Sequence, residues 1–438
     1  MISKSCAKDE GSVLRPGFVH TSGGLVYKHL PDKLSLHIRS MFTPLRLSSS
    51  KLLPPNCLQR RLLTFHRGPG PSISVPELSG KYHFSWLRDS CQCSTCIHPS
   101  TRQKLHRSTD FIGIEPESIE SKDDGLYIEW ATNKHRSFYD RDFLARYATV
   151  SSRHAFNFDV KAEPWTSSYF ANNPSISYHA LDAPEALLDV YKELLRSGLV
   201  FFHDVPTKET SDSTCELRQL ATRLSEIRYT FYGETWDVRA ISNSKNIAYT
   251  NLNLGLHMDL LYFKEPPRYQ ILHCLRNRVH GGNSVFVDAL NAARKLNESA
   301  FKILATTPVP FHYINDGHHL HHAHTTIECV PSYGGQEIRS INYSPPFQAP
   351  LLMNTPDEFY DSLSELERHL EDPQNLYTRL LREGDAVIFD NRRVLHGRTA
   401  FESRDSEEGE IDRWLKGCYL EEDPILDRMR ILRKTLGS

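Results

Sequence analysis

Ala386-Val-Ile-Phe-Asp-Asn-Arg-Arg-Val-Leu-His396 and His257-Met-Asp259 are the two stretches that decide how this chain reads. Ala386 to Phe389 is an unbroken apolar run of strand length, Asp390 to Arg393 is turn-like, and His396 then falls on what reads as a neighbouring strand. His257 and Asp259 are two positions apart, so an extended backbone would point both side chains to one face. Two imidazoles and one carboxylate converging from one side are what a non-haem iron needs if it is to keep coordination positions open. A His-x-Asp triplet alone arises often by chance, so its weight depends on the context.

Working outward, short β-rich runs recur at Tyr269 to Cys274, Ser284 to Val287 and Ile338 to Tyr343, separated by Gly, Pro and Asn. Many short strands with long insertions predict a mainly β (α+β) catalytic domain over residues 175–438, built as a double-stranded β-helix, or jelly roll. Asp182 to Gly198 predicts a helix, with Leu187, Leu188, Tyr191, Leu194 and Leu195 on one face, Pro184 in the first turn and Gly198 to stop it. Leu199 to Val205 then reads as a buried strand. Upstream, the alternation in Gly125-Leu-Tyr-Ile-Glu-Trp130 suits a strand of a small N-terminal β domain over residues 77–150, followed by a polar, aromatic linker to about residue 177.

Residues 1–76 are different in kind. From Met41 to Pro76 there are Arg46, Lys51, Arg60, Arg61 and Arg67 and no acidic residue, among Leu, Phe and Ser. This composition predicts a mitochondrial leader, with a start at Met41 favoured because Asp9, Glu10 and Asp32 precede it; a disordered basic tail on a cytoplasmic protein is the alternative. Over the whole chain of 438 residues the formal net charge is −2, which argues against a sequence-independent nucleic-acid binder and for a small-molecule partner. No run approaches the roughly 20 apolar residues of a membrane-spanning helix. There is no internal repeat and no phosphate-cradling glycine loop.

The ordered matches Trp86-Leu-Arg-Asp89, Phe231-Tyr-Gly-Glu-Thr-Trp236, Ala248-Tyr-Thr250, Leu272-His-Cys-Leu275, Gly281-Gly282, Val287-Asp288 and Asp390-Asn391 through Leu395-His-Gly-Arg398 give the chain a likeness. It resembles the oxygenase family that includes taurine dioxygenase, and more closely its γ-butyrobetaine and trimethyllysine hydroxylase branch. The resemblance implies iron(II) held by His257, Asp259 and His396, 2-oxoglutarate as co-substrate, ascorbate as reductant, and a homodimer. It also implies an arginine paired with the co-substrate's distal carboxylate: Arg413 by alignment of Arg413-Trp-Leu-Lys-Gly-Cys-Tyr419, with Arg398 as rival and Arg404 a weaker one. A guanidinium suits the role because its fork gives two parallel hydrogen bonds to one carboxylate.

Tyr232, Trp236, Tyr249 and Tyr419 fall on the family's cage positions, and aromatic faces attract a trimethylammonium head. Taken singly, each is more often core packing. Asn246 stands where trimethyllysine enzymes resemble one another in having Asp, and an amide can donate to a carboxylate that Asp would repel. Asn342 matches a second residue of that role. The resemblance therefore implies hydroxylation of γ-butyrobetaine to carnitine, with trimethyllysine as the rival substrate.

Nine cysteines, an odd number with three clustered, argue for a metal site over a disulfide framework. Cys91, Cys93 and Cys96 supply three thiolates, and His135 matches the family's fourth ligand, so a structural zinc is expected. An iron–sulfur cluster would want a fourth cysteine nearby. His318, His319, His321, His322 and His324 form the densest histidine run and read as a solvated loop. Two other readings of the same residues are a catalytically dead methyl-lysine reader and a zinc hydrolase.

Overall fold

The computed structural model describes residues 63–68, 70–172, 175–239, 247–332, 335–403 and 412–437. Most of the expected leader, Asn246 and Arg404 lie outside these ranges. No helix among the described residues is long and apolar enough to cross a membrane.

The first of the described residues form two three-stranded sheets. One is made by His66–Arg67, Ser72–Val75 and Gly80–His83, the other by Pro116–Lys122, Gly125–Trp130 and Arg136–Asp140. The predicted strand Gly125–Trp130 is central to the second sheet and buries Leu126, Ile128 and Trp130, the alternation that a half-buried strand requires. Leu63, Ile73 and Val75 belong to this core.

In the larger part, helix α1 (Pro184–Ser197) carries Pro at its start and ends at Gly198 with φ 78°, a left-handed cap that favours glycine. It buries Leu188, Val190, Tyr191 and Leu194, each worth about 1.5–3 kcal/mol of apolar burial, and turns directly into strand β1 (Leu199–His203). Helix α2 (Glu216–Leu224) follows. Strands β2 (Trp236–Arg239), β3 (Leu254–His257), β4 (Tyr269–Asn277), β5 (Ser284–Asp288), β6 (Tyr377–Arg379), β7 (Ala386–Asp390), β8 (Val394–Arg398) and β9 (Arg413–Leu420) come next, before the closing helix α3 (Glu422–Leu436).

These strands sort into two main sheets. The larger has seven strands, running β2-β9-β4-β7-β1 and ending on Ile176–Ser177, with Ile227–Arg228 paired to β9. The smaller has the order β3-β8-β5-β6. Neither closes on itself, so the jelly roll expected from the sequence is wrong: this is a mixed α/β fold with several open sheets. The physical reason is that strand runs show where extended segments lie, whereas closure depends on which edges pair, and pairing is set by contacts distant in sequence.

The linker expected before residue 177 is packed. Trp165 is buried, its indole donating to the Ser197 carbonyl, and Arg393 reaches the Glu163 and Arg196 carbonyls while bonded to buried Asp288. The histidine run is also not a loop. It lies in the strand His318–Thr325, antiparallel to Pro308–Asn315, because alternate positions of that partner bury Val309, Phe311 and Tyr313 and fix the register.

Candidate active site

β3 and β8 are adjacent and antiparallel, with His257 and His396 as direct register partners. Side chains opposite one another on such a pair are neighbours, and the two imidazole centroids are 4.2 Å apart. Only His257 is on the strand; Asp259 sits in the turn beyond it, not on a continued extended segment. That turn is held by main-chain bonding: Met258 N–H donates to the Tyr343 carbonyl, and Met258 itself is fully buried. Asn391 brackets Asp259, its Oδ1 accepting from the Asp259 N–H at 2.8 Å and its amide donating to the Asp259 carbonyl at 3.0 Å. Leu260 follows with φ 61°, a conformation that costs a non-glycine residue about 1–2 kcal/mol and is held here by burial of its side chain.

The donor atoms of His257, Asp259 and His396 all lie within 4.8 Å of one another. His257 Nε2 is 3.4 Å from Asp259 Oδ1, and His396 Nε2 is 4.0 Å from Asp259 Oδ2. His257 Nδ1 lies 2.9 Å from the Gly255 carbonyl, which can only accept, so Nδ1 carries a proton and the ring is held with Nε2 turned toward the site. Burial opposes ionisation of Asp259, but the bond to His257, the neighbouring imidazoles and the Tyr419 hydroxyl hold its carboxyl well below the usual carboxylate range. Burial, reinforced by His257, pushes His396 down to about 3. A carboxylate at Asp259 and a neutral imidazole at His396 are protonation states suited to a divalent metal.

Two arginines face the same region in different circumstances. Arg398 donates to the carbonyls of Ala248, Thr250 and Leu252, so its guanidinium pins the segment that carries Tyr249. Arg413, at the start of β9, is 5% exposed and has no carboxylate partner among the described residues; its Nε is buried without a hydrogen bond. Burial, with Arg398 nearby, pushes it down to about 10, which still leaves it charged at neutral pH. It lines a cavity shared with His257, Asp259, His396, Gln270 and Ser284.

Tyr232, Trp236, Tyr249 and Tyr419 line a second cavity that also reaches His257 and Asp259. Trp236 and Tyr419 have centroids 5.3 Å apart, and the Tyr419 hydroxyl donates to Asp259 Oδ2 at 2.9 Å, so one cage wall also orients a ligand. Trp236 is the register partner of Gly417, and a Cβ there would come within 2.2 Å of the indole. A glycine is what lets the ring lie flat on β9. Tyr262 and Phe347 complete the wall and were not foreseen; Tyr262 follows Asp259 by three residues in a turn, where no periodicity marks it. Asn342 does not reach this wall: its amide donates to the Thr325 carbonyl.

The second donor set lies beside the sheet that carries Gly125–Trp130. Sγ of Cys91, Cys93 and Cys96 lie 3.4, 3.7 and 3.6 Å from His135 Nε2. Bond lengths of about 2.3 Å to sulfur and 2.0–2.1 Å to nitrogen put the corners of a zinc tetrahedron about 3.6 Å apart, so the four donors fit. The histidine strand makes no such set: among the described residues, no other group of three or more donors comes together.

The profile described as taurine catabolism dioxygenase TauD, TfdA family matches residues 161–419, more than half of the sequence. The chain belongs to that family. A profile described as gamma-butyrobetaine hydroxylase-like, N-terminal, matches residues 76–145. Dioxygenase str8 of Strobilurus tenacellus is 47% identical over 389 residues, covering 86% of this chain and 91% of that protein. The human gamma-butyrobetaine dioxygenase is 31% identical, covering 83% and 94%, and the bovine mitochondrial trimethyllysine dioxygenase is 28% identical, covering 80% and 83%. The protein is thus a dioxygenase dependent on iron(II) and 2-oxoglutarate, related to the γ-butyrobetaine and trimethyllysine branch, and its donor set of two imidazoles and a carboxylate fits that metal.

Proposed function

We propose that this dioxygenase hydroxylates γ-butyrobetaine to carnitine, and that His257, Asp259 and His396 hold the iron while Arg413 takes the distal carboxylate of 2-oxoglutarate. With both bound, the centre supplies conversion of a C–H to a C–OH, one oxygen atom going to the substrate and one to succinate as CO2 leaves. The observation that carries the substrate reading is the meeting of four aromatic rings around one cavity beside Asp259. Each face contributes roughly 0.5–2 kcal/mol to a trimethylammonium group, depending on desolvation. The rings' work is to aim one C–H bond at the metal and to exclude water.

Asn246 supports a substrate ending in a bare carboxylate, by the donor argument from sequence. Arg413 is preferred to Arg398 for the co-substrate because Arg398 is already bonded to three carbonyls. The test is mass spectrometry of product after incubation with iron(II), ascorbate, 2-oxoglutarate and either amine. One oxygen should be added to γ-butyrobetaine; preference for trimethyllysine would overturn the substrate assignment.

We also propose that Cys91, Cys93, Cys96 and His135 hold a structural zinc that staples a small core. Burial pushes the Cys91 thiol up to about 11 in the metal-free protein, so binding a metal there must release a proton. Cys96→Ser should lose about one zinc per chain and lower Tm by roughly 5 °C or more. Metal analysis that finds no zinc in the unaltered protein would refute this.

A further inference from the structure

Strand β2 is an edge of the larger sheet, paired on one side only, with β9. Its residues alternate between two faces. Trp236 and Val238 line the cavities beside the iron ligands, while Asp237 and Arg239 make their contacts behind the strand. All four residues are only half-buried, and among the described residues the buried indole N–H of Trp236 finds no hydrogen-bond partner. No polar contact of its own fixes the ring that makes one wall of the cage.

The back of β2 is tied down instead. Asp237 and Lys416 are direct register partners, and Lys416 Nζ donates to Asp237 Oδ1 at 3.0 Å. The Trp414 indole donates to the same oxygen at 2.7 Å. Arg239, the register partner of Trp414, donates to Asp237 Oδ2 at 2.8 Å and stacks 3.9 Å above the Trp414 ring. Lys416 also donates to Asp212 Oδ1 at 2.6 Å, and that oxygen accepts from Thr235, the residue before β2. Arg218 of α2 donates to the Asp212 carbonyl at 2.9 Å and to Glu234 at 2.7 Å, which anchors this loop and the entry to β2 on a helix.

Lys416 is 1% exposed, and a charge so deep is tolerated only where it is paired. Burial opposes its ionisation, but the bonds to Asp212 and Asp237 hold its pKa above the ordinary lysine value. One buried cation therefore bridges strand and loop directly behind the indole, which lies on Gly417, the next residue of β9. Lys416 itself lines neither cavity.

We propose that Lys416 is a positioning residue for the amine: through Asp237 and Asp212 it fixes the edge strand so that Trp236 stands in the wall of the cage. The inference rests on the reading that the cage holds the cationic head of the amine, whichever of the two amines that is.

The test is steady-state kinetics of the iron-loaded full chain on the amine it turns over, for Trp236→Leu, Lys416→Met, Asp237→Ala and the double variant of the last two. Trp236→Leu removes a ring and should raise KM for the amine about tenfold. Lys416→Met should raise it about fivefold, with kcat and KM for 2-oxoglutarate within about twofold of the unaltered chain. Asp237→Ala, at a half-exposed edge position, should match Lys416→Met, and the double variant should be no worse than either, because both break one link. An unchanged amine KM in Lys416→Met, or in Asp237→Ala where Lys416→Met does not fold, would overturn the positioning role. So would equal losses in every parameter, the mark of general loosening, or effects that multiply in the double variant; in each case Trp236→Leu still reports the cage. An unchanged KM in Trp236→Leu, or turnover of neither amine, would remove the cage reading and this inference with it.

Discussion

Asp259→Ala should give a folded protein that retains iron(II) more than a hundredfold less tightly and releases succinate at background rate. Partners outside the ligand set are worth about 10–100-fold in metal affinity, so loss of a ligand itself must exceed that. Asp259 is the sole carboxylate of the three donors, and it carries the negative charge that draws a divalent ion to the two imidazoles. Asn391→Ala is the graded comparison. Asn391 bonds to main chain alone, that of Asp259 and the Pro267 carbonyl, so its loss should cost about 10–100-fold in iron affinity while spectral signs of the ligand set persist. Anaerobic titration of both variants with iron(II), alongside succinate release, checks the pair. Succinate release by Asp259→Ala near the wild-type rate would remove this residue from the metal.

How far the sequence carried this reading depends on whether each feature is local. Helix α1 was legible because its apolar period, Pro184 and Gly198 are all within one stretch, and the structure ends it at Gly198 in the left-handed region. The residue types of the iron centre were legible too, since His-x-Asp and a late histidine after a strand can be read in line. Their geometry was not. His257 and His396 meet because β3 and β8 pair in one register, and a register between strands so far apart leaves no mark in either. The same gap produced the wrong expectation of a closed jelly roll, for the seven-stranded sheet ends on Trp236–Arg239 and Ile176–Ser177, edges that no local pattern announces. Arg398 and Arg413 were indistinguishable by type; what separates them is that three carbonyls surround one and none of the described carboxylates reaches the other. The histidine run looks polar in line, but it pairs along its whole length with Pro308–Asn315 and half-buries His322 and His324.

Arg413→Met should raise the 2-oxoglutarate requirement about 30-fold or more while leaving iron binding nearly unchanged. The side chain's charge is buried and unpaired in the protein alone, a state that is costly without an anion. An arriving carboxylate removes that cost and gains two parallel charge-assisted bonds, and truncating one partner of such a buried pair costs about 2–5 kcal/mol, or roughly 30- to 5,000-fold in affinity. Methionine fills similar volume without charge, so Arg413→Met should melt no lower than the unaltered chain when co-substrate is absent, because the unpaired buried charge is gone. Arg398→Met should behave differently: it removes three bonds to the carbonyls of Ala248, Thr250 and Leu252, and so should loosen Tyr249 and raise KM for the amine before that for 2-oxoglutarate. Steady-state kinetics varying each substrate in turn, with Tm measured for both variants, separates the two arginines. If Arg398→Met instead carries the larger loss in 2-oxoglutarate affinity, the guanidinium that meets the co-substrate is the one already bonded to the loop, and the assignment of Arg413 falls.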